Sequence, residues 1–293
     1  MSRTLIITND FPPRQGGIES FVHAMAVRFP PNAVAVYTSA TTGSDAFDER
    51  LPFPVVRDRA RTLLPTRRMT DRAVGLAREL DCDRVWFGAA APLGLMAAAL
   101  RRRADVQRLV ATTHGHEVWW ARTPGTRGAL RRIGRDVHAV TYLGGYTRRV
   151  IAPALGRSAA ARMRPLAPGV DPAVFEPGLA MAPSPARIRM RRLLDLEERQ
   201  PVVLCVGRLV PRKGQDVLIR ALARVRRSVP NTTLLVVGAG PHGDRLKRLA
   251  RAEGVAEAVI FAGGHPHEAM PDFFAAADVF AMPCRTRRAG LEV

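Results

Sequence analysis

The feature that most constrains this chain is an alternation of short apolar runs with helical periodicities, repeated almost from end to end. Apolar runs bounded by turn residues read as buried strands, and apolar spacings of three and four read as helices. In the first half, strands are predicted at Arg3–Thr8, Val34–Thr38, Val55–Arg57, Arg84–Phe87, Leu109–Thr113 and Val137–Thr141. Between them, helices are predicted at Ile18–Phe29, Asp71–Leu80, Pro92–Ala104, Thr126–Gly134 and Gly145–Leu155. This order calls for parallel strands with helices on both faces of the sheet.

The pattern breaks once. Between Pro165 and Pro185 there are six prolines and two glycines with little periodicity, which reads as an interdomain connection. The alternation then restarts with helix Arg187–Leu194, strand Val202–Val206, helix Gly214–Arg227 and strand Thr233–Val237. Helix Asp244–Glu253, strand Ala258–Ala262, helix Glu268–Ala276 and strand Val279–Met282 follow. The expected architecture is α/β: two doubly wound parallel sheets in series with a cleft between them, residues 1–170 and 171–293. The second sheet has four strands and no closing helix, so its last strand needs a covering partner or further chain.

Charge and composition narrow the class. The 45 Lys and Arg outnumber the 26 Asp and Glu by nineteen, and residues 1–170 hold 26 of the cations against 13 acids. Such a surface attracts nucleotide phosphate, anionic lipid and nucleic acid alike. Aromatics are only 6%, and no RNA-binding or zinc pattern interleaves with the cations, so nucleic acid is not expected as a partner. The three cysteines, Cys82, Cys205 and Cys284, are far apart and read as buried thiols in a reducing compartment. The longest uncharged run, Val85–Leu100, is interrupted by Gly88, Pro92 and Gly94 and is too short to span a bilayer. The amino terminus lacks a signal-peptide core, so a cytoplasmic location is expected.

Three loops are suited to phosphate. Asn9 to Ile18 joins the first strand to the first helix, and its Gly16-Gly17 pair lets backbone amides at a helix start approach an anion. Gly207 to Gln215 holds Arg208, Arg212 and Lys213 at another strand's carboxyl end, where a fork and a point charge suit a diphosphate. Gly238-Ala239-Gly240-Pro241-His242-Gly243 is a literal dinucleotide fingerprint. It lacks the acid that would bind a ribose at the end of the following strand, so a glycine turn opening a helix competes with a nicotinamide site. His114 and His116, beside Glu117, follow a strand as well. They suit either a hydrogen bond to a ligand or an incomplete metal site.

These residues together resemble the GT-B glycosyltransferases of family 4. Asn9-Asp10-Phe11-Pro12-Pro13-Arg14 with Gly16-Gly17, then Val85 to Leu93, then Thr113-His114-Gly115-His116-Glu117-Val118 look like the actinobacterial phosphatidylinositol mannoside mannosyltransferases. Arg208 to Asp216 and Phe280 to Arg287 fit the same branch.

The resemblance implies two Rossmann-like domains, the second incomplete. It also implies retaining transfer of mannose from GDP-mannose to a phosphatidylinositol mannoside lipid, with no cofactor and no required metal. By the same resemblance, the amides of Gly16 and Gly17 contact the donor diphosphate, and Arg208 and Lys213 neutralise it. His114 approaches the donor sugar, and Gly263 and Gly264 border the base. Asn9, Asp10, Arg14 and His116 face the acceptor. Peripheral attachment to the inner face of the plasma membrane is expected, drawn by anionic lipid to the basic first domain. Members of the family continue with a Glu-x7-Glu motif that grips sugar and ribose. Here the chain ends at Gly290-Leu291-Glu292-Val293, and Glu292 falls before that motif, so weak or absent activity is expected of this chain alone. The alternatives are a family member with another sugar nucleotide or acceptor, an inactive remnant, a basic nucleic-acid-binding protein, and a nicotinamide oxidoreductase.

Overall fold

The computed structural model describes residues 2–175 and 183–285. The chain divides into two compact units, Met1–Pro168 and Gly169–Val293.

The first unit is built on seven parallel strands: β1 (Thr4–Ile7), β2 (Val34–Ser39), β3 (Val55–Asp58), β4 (Arg84–Phe87), β5 (Arg108–Thr113), β6 (Ala139–Tyr142) and β7 (Met163–Pro165), in the order β3-β2-β1-β4-β5-β6-β7. Every residue of β1 and β2 is buried, as expected of central strands covered on both faces. Helix Gly17–Ala26 packs Phe21, Val22 and Ala26 against Ile6, Val34, Val36 and Trp86. From β1 the chain moves outward to β2 and β3, then returns to place β4 on the other side of β1. That reversal opens a crevice at the carboxyl ends of β1 and β4, where open α/β sheets bind ligands.

Two features depart from expectation here. β7 lies where the proline-rich connection was expected to begin. Proline is tolerated in it because β7 is the sheet edge: Pro165 lies opposite Tyr142, but it is the Leu166 amide that donates to the Tyr142 carbonyl, so the N–H that proline lacks is not needed. The alanine-rich segment is a 3-10 turn, Leu93–Met96, leading into a helix at Ala97–Arg103. Within that turn Gly94 lies against Ile133, where a Cβ would come within 2.7 Å of the isoleucine side chain.

The second unit holds β8 (Val202–Val206), β9 (Thr233–Val237), β10 (Val259–Gly263) and β11 (Val279–Phe280) in the parallel order β10-β9-β8-β11. Helices Gln215–Ser228 and Gly243–Ala252 cover one face with Ile219, Leu222, Leu246 and Ala250. Helices Pro185–Leu193 and Met270–Ala276 cover the other. Arg191 is buried and donates to the carbonyls of Glu197, Glu198, Gln200 and Ala276 and to Asp278, so its charge is fully hydrogen-bonded. β11 is shorter than expected. Its pairing runs out after the amide of Ala281 donates to Leu204, and Pro283 has no N–H to extend the ladder.

Candidate functional site

The loop after β1 is fixed by side chains from other elements. Asn9 clamps the backbone of Leu63 in both directions, donating from Nδ2 (3.0 Å) and accepting at Oδ1 (2.6 Å). Arg57 donates to the carbonyl of Pro12 (2.6 Å) while its guanidinium forks onto Asp48 at 2.7 and 2.8 Å. Arg14 is exposed and donates to the carbonyl of Asn9 at 3.1 Å. The loop delivers Gly16 and Gly17 to the start of a helix that has no side-chain cap. Its first amides are therefore available to an anion. The space beside Gly17 is open, whereas a Cβ on Gly16 would run into the carboxylate of Glu19. Burial pushes the Glu19 carboxyl up from its ordinary value, so this carboxyl gives up its negative charge more readily than an exposed one.

At the carboxyl end of β5, His114 reaches across to β4, with Nε2 at 2.6 Å from the carbonyl oxygen of Gly88. Phe21 meets the imidazole edge-on, and burial holds the imidazole below its ordinary pKa. Glu117 is fully buried. Its Oε2 accepts the His114 backbone N–H (3.0 Å), and its Oε1 lies 3.2 Å from His116 Nε2. Above these residues is a pocket of about 340 Å³ lined by Asn9, Asp10, Ile18, Ala91, His116 and Trp120 among others. Its walls are largely apolar, with polar groups converging from the ends of β1 and β5, which is how small-molecule sites are commonly built.

In the second unit, the loop after β8 runs through a 3-10 turn at Pro211–Lys213 into helix Gln215–Ser228. Gly214 adopts a left-handed conformation there (φ 73°), and a Cβ would strike the Pro283 carbonyl. The Arg208 guanidinium is exposed and makes no hydrogen bond or ion pair among the described residues. Lys213 lies alongside Gly207 with Nζ 3.8 Å from the Met282 sulfur. Gln215, nearly fully buried, donates to the Arg208 carbonyl at 3.2 Å. Arg285 straps the segment after β11 onto the same loop. Its amide donates to Arg212, and its guanidinium donates to Pro211 and, at 2.6 Å, to Asp216. The result is a rigid loop presenting two cations at the head of a helix, an arrangement suited to a diphosphate.

The glycine fingerprint has a different use. Leu209 N–H donates to Ala239, and His242 N–H donates back to Leu209. Cβ atoms on Gly238 and Gly240 would collide with the backbones of Gly207 and Leu209. These glycines let two loops of the chain touch, so the fingerprint is accounted for by packing and requires no nicotinamide cofactor.

Residues 15–174 match the model of Glycosyltransferase Family 4, and residues 187–293 match that of Glycosyl transferases group 1. The chain belongs to the family 4 glycosyltransferases. Over 99% of its length this family 4 chain is 49% identical to the GDP-mannose-dependent alpha-(1-6)-phosphatidylinositol monomannoside mannosyltransferase of Mycolicibacterium smegmatis, of which it spans 74%. It is 40% identical, with the same coverage, to the GDP-mannose-dependent monoacylated alpha-(1-6)-phosphatidylinositol monomannoside mannosyltransferase of Corynebacterium glutamicum. Its fold is shared with HepE of Anabaena, solved in complex with UDP and glucose, at a TM-score of 0.75 and 21% identity over 97% of this chain and 74% of that one. The two-sheet α/β architecture read from the sequence is thus that of a GT-B glycosyltransferase.

For this family 4 chain, the structure brings Asn9, Asp10 and His116 to one pocket, with Arg14 tied to the Asn9 carbonyl. Gly16 and Gly17 open the neighbouring helix, and His114 lies beneath, bonded to β4. Arg208 and Lys213 share one loop. Gly263 accepts from the Gly238 amide, and Gly264 faces Ala239. Glu292 and Arg287 lie outside the described residues. Among the described residues no cluster of three His, Cys, Asp or Glu side chains is placed to hold a metal ion. Sequence reasoning passed over Arg57 and Trp120, and placed Gln215 in the loop without giving it a role. Each does its work through tertiary contacts that no local pattern announces.

Proposed function

We propose that this chain is a retaining hexosyltransferase that moves mannose from GDP-mannose to a phosphatidylinositol mannoside lipid, forming an α-(1-6) linkage. The observation that carries the reading is 40–49% identity along nearly the whole chain to relatives whose names state that activity. The local geometry supports it. Arg208 and Lys213 are free to neutralise the donor's diphosphate as charge develops on the leaving group, a role that other transferases give to a metal ion. In the first unit, the uncapped amides of Gly16 and Gly17 are themselves suited to a phosphate. His114, neutral and hydrogen-bonded, presents its ring towards the donor sugar, and the leaving phosphate accepts the proton of the acceptor hydroxyl. Gly263 and Gly264 border the base. Asn9, Asp10, Arg14 and His116 receive the acceptor's polar head at the pocket.

No helix among the described residues is long and apolar enough to cross a membrane. In this reading the chain meets its lipid acceptor by peripheral attachment at the inner face of the plasma membrane, where an anionic leaflet attracts a basic domain. The test is incubation with radiolabelled GDP-mannose and a purified phosphatidylinositol monomannoside dispersed in detergent. The expected result is GDP-mannose binding, with any label, however weak, in a lipid with one further α-(1-6)-linked mannose. Transfer from UDP-glucose in preference to GDP-mannose would replace the donor. Folded protein that neither binds GDP-mannose nor transfers mannose would refute the reading.

A further inference from the structure

From residue 118 to residue 170 the chain carries ten arginines and one acid, Asp136, which is buried. The structure gathers most of these cations on three helices that pack on one another: Glu117–Arg122, Pro124–Asp136 and Gly145–Leu155. In helix Pro124–Asp136, Leu130, Ile133 and Gly134 are buried, and Arg127, Arg131 and Arg135 recur at every fourth residue on the solvent side. Arg135 and Arg132 lean on Asp136, at 3.1 and 3.9 Å. Arg131, Arg148 and Arg149 are exposed, and their side chains have no hydrogen bond or ion pair among the described residues. Beside this field stands Trp119, 56% exposed, an unusual position for a residue with so much apolar surface. Its neighbour Trp120 lines the 340 Å³ pocket. Arg122 reaches Tyr146 at 3.5 Å and ties the tryptophan-bearing helix to the one that carries Arg148 and Arg149.

An indole at the edge of an uncompensated arginine field matches the interfacial region of a bilayer. There an aromatic ring settles among headgroups while cations gather anionic lipid. We propose that this face, with Trp119 leading and Arg127, Arg131, Arg148 and Arg149 around it, is where the chain docks on a bilayer surface containing anionic phospholipid. The choice of lipid over another polyanion rests on the function proposed above. The position of Trp120 adds to it, because a bilayer held against Trp119 lies next to the pocket assigned to the acceptor headgroup.

The test is co-sedimentation of the chain with vesicles of phosphatidylcholine alone, and with vesicles in which a third of the lipid is phosphatidylinositol or phosphatidylglycerol. The expected result is sedimentation only with the anionic vesicles, weakened by about fivefold for each arginine removed, since each contributes on the order of 1 kcal/mol near such a surface. Arg148→Ala/Arg149→Ala and Trp119→Ala should each lower vesicle binding and leave GDP-mannose binding and transfer to a detergent-dispersed acceptor unchanged. Arg67→Ala/Arg102→Ala, which removes two cations elsewhere on the unit, should sediment almost as the parent does. Equal sedimentation of parent and Arg148→Ala/Arg149→Ala overturns the assignment, as does binding that ignores the anionic fraction. Tighter binding to an oligonucleotide than to anionic vesicles overturns the lipid partner. Transfer to the dispersed acceptor without vesicle binding sinks this inference alone. Vesicle binding with neither GDP-mannose binding nor transfer sinks the proposed function alone.

Discussion

The Nε2 atom of His114 lies 2.6 Å from the carbonyl oxygen of Gly88, joining the carboxyl ends of two adjacent parallel strands. A carbonyl only accepts, so Nε2 carries the proton, and burial keeps the ring from taking a second one. His138 is constrained in the same sense: its Nδ1 accepts from the Leu109 amide at 3.0 Å, while burial and nearby arginines oppose its protonation. Both imidazoles are harder to protonate folded than unfolded. The unfolded chain therefore binds more protons, and stability is complete above the unfolded histidine pKa of about 6.5 and is lost as pH falls below it. Thermal unfolding at pH 8, 7, 6 and 5 should show the melting temperature of the first unit falling across the lower steps. His114→Gln keeps a donor for Gly88 and should flatten that slope; an unchanged slope would show that His114 is not responsible.

Asp58 closes β3 with a different charge arrangement. Arg68 forks onto its carboxylate at 3.0 and 3.2 Å, Tyr37 donates at 2.9 Å, and the Ala60 amide donates at 2.9 Å. These donors, Arg68 first, hold the carboxyl down to about 2 against the opposing effect of burial. A depressed carboxylate stabilises above its unfolded pKa, and that contribution disappears as pH drops from about 4 towards 2. Asp58→Asn should remove this acid-sensitive component. Asp58→Ala leaves the buried Tyr37 hydroxyl short of an acceptor, and should cost about 2 kcal/mol in denaturant titrations at neutral pH. Arg68 is largely exposed, so Arg68→Ala should cost less than 1 kcal/mol or so.

The glycines of the Gly238 fingerprint separate what the sequence could show from what it could not. Their spacing was visible, and the missing ribose acid argued against a dinucleotide. That Gly240 faces Leu209 depends on how the loops after β8 and β9 meet. A Cβ on Gly240 would stand 2.6 Å from the Leu209 carbonyl oxygen and 2.7 Å from its nitrogen, and backbone cannot step aside as a flexible side chain can. Gly240→Ala should therefore destabilise the second unit by about 3 kcal/mol. Gly243→Ala, whose Cβ would meet only Leu209 Cδ1 at an ordinary 3.7 Å, should be neutral or slightly stabilising. Equal effects from the two substitutions would contradict this account.

Element type was legible wherever burial on both faces imposed long apolar runs, as in β1, β2, β8 and β9. It failed where length or edge position weakened the signal. Met163-Arg164-Pro165 has neither period nor apolar run, yet it pairs with β6 because an edge strand needs hydrogen bonds on one side only. Helix Glu117–Arg122 is too short for a period to register, so the position of Trp119 and Trp120 could not be read in advance. The phosphate loops were legible because glycine and cations at a strand's carboxyl end have few other uses. Their supports, Arg57 under the first loop and Arg285 under the second, come from elsewhere in the chain and leave no local trace.

Arg208 and Lys213 differ in what surrounds them, and the difference sets their expected effects. Arg208 is free of partners among the described residues, so its substitution removes a phosphate contact and little else. Arg208→Ala should weaken GDP-mannose and GDP by roughly thirtyfold, as loss of a charge-assisted bond of about 2 kcal/mol requires, while guanosine binding stays unchanged. Lys213→Ala should behave alike for nucleotide affinity, and its loss relative to the parent should shrink more as salt rises, because an ammonium acts as a point charge whose attraction salt screens. Arg285 touches the loop only through Pro211, Arg212 and Asp216. If it acts by holding the loop, Arg285→Ala and Asp216→Ala should each weaken GDP by a similar, smaller factor, and the double variant should be no worse than either alone. Additive losses would instead place Arg285 on the phosphate itself. Calorimetric titration of the four single variants and the double variant with GDP, and of the parent and Arg208→Ala with guanosine, checks these outcomes.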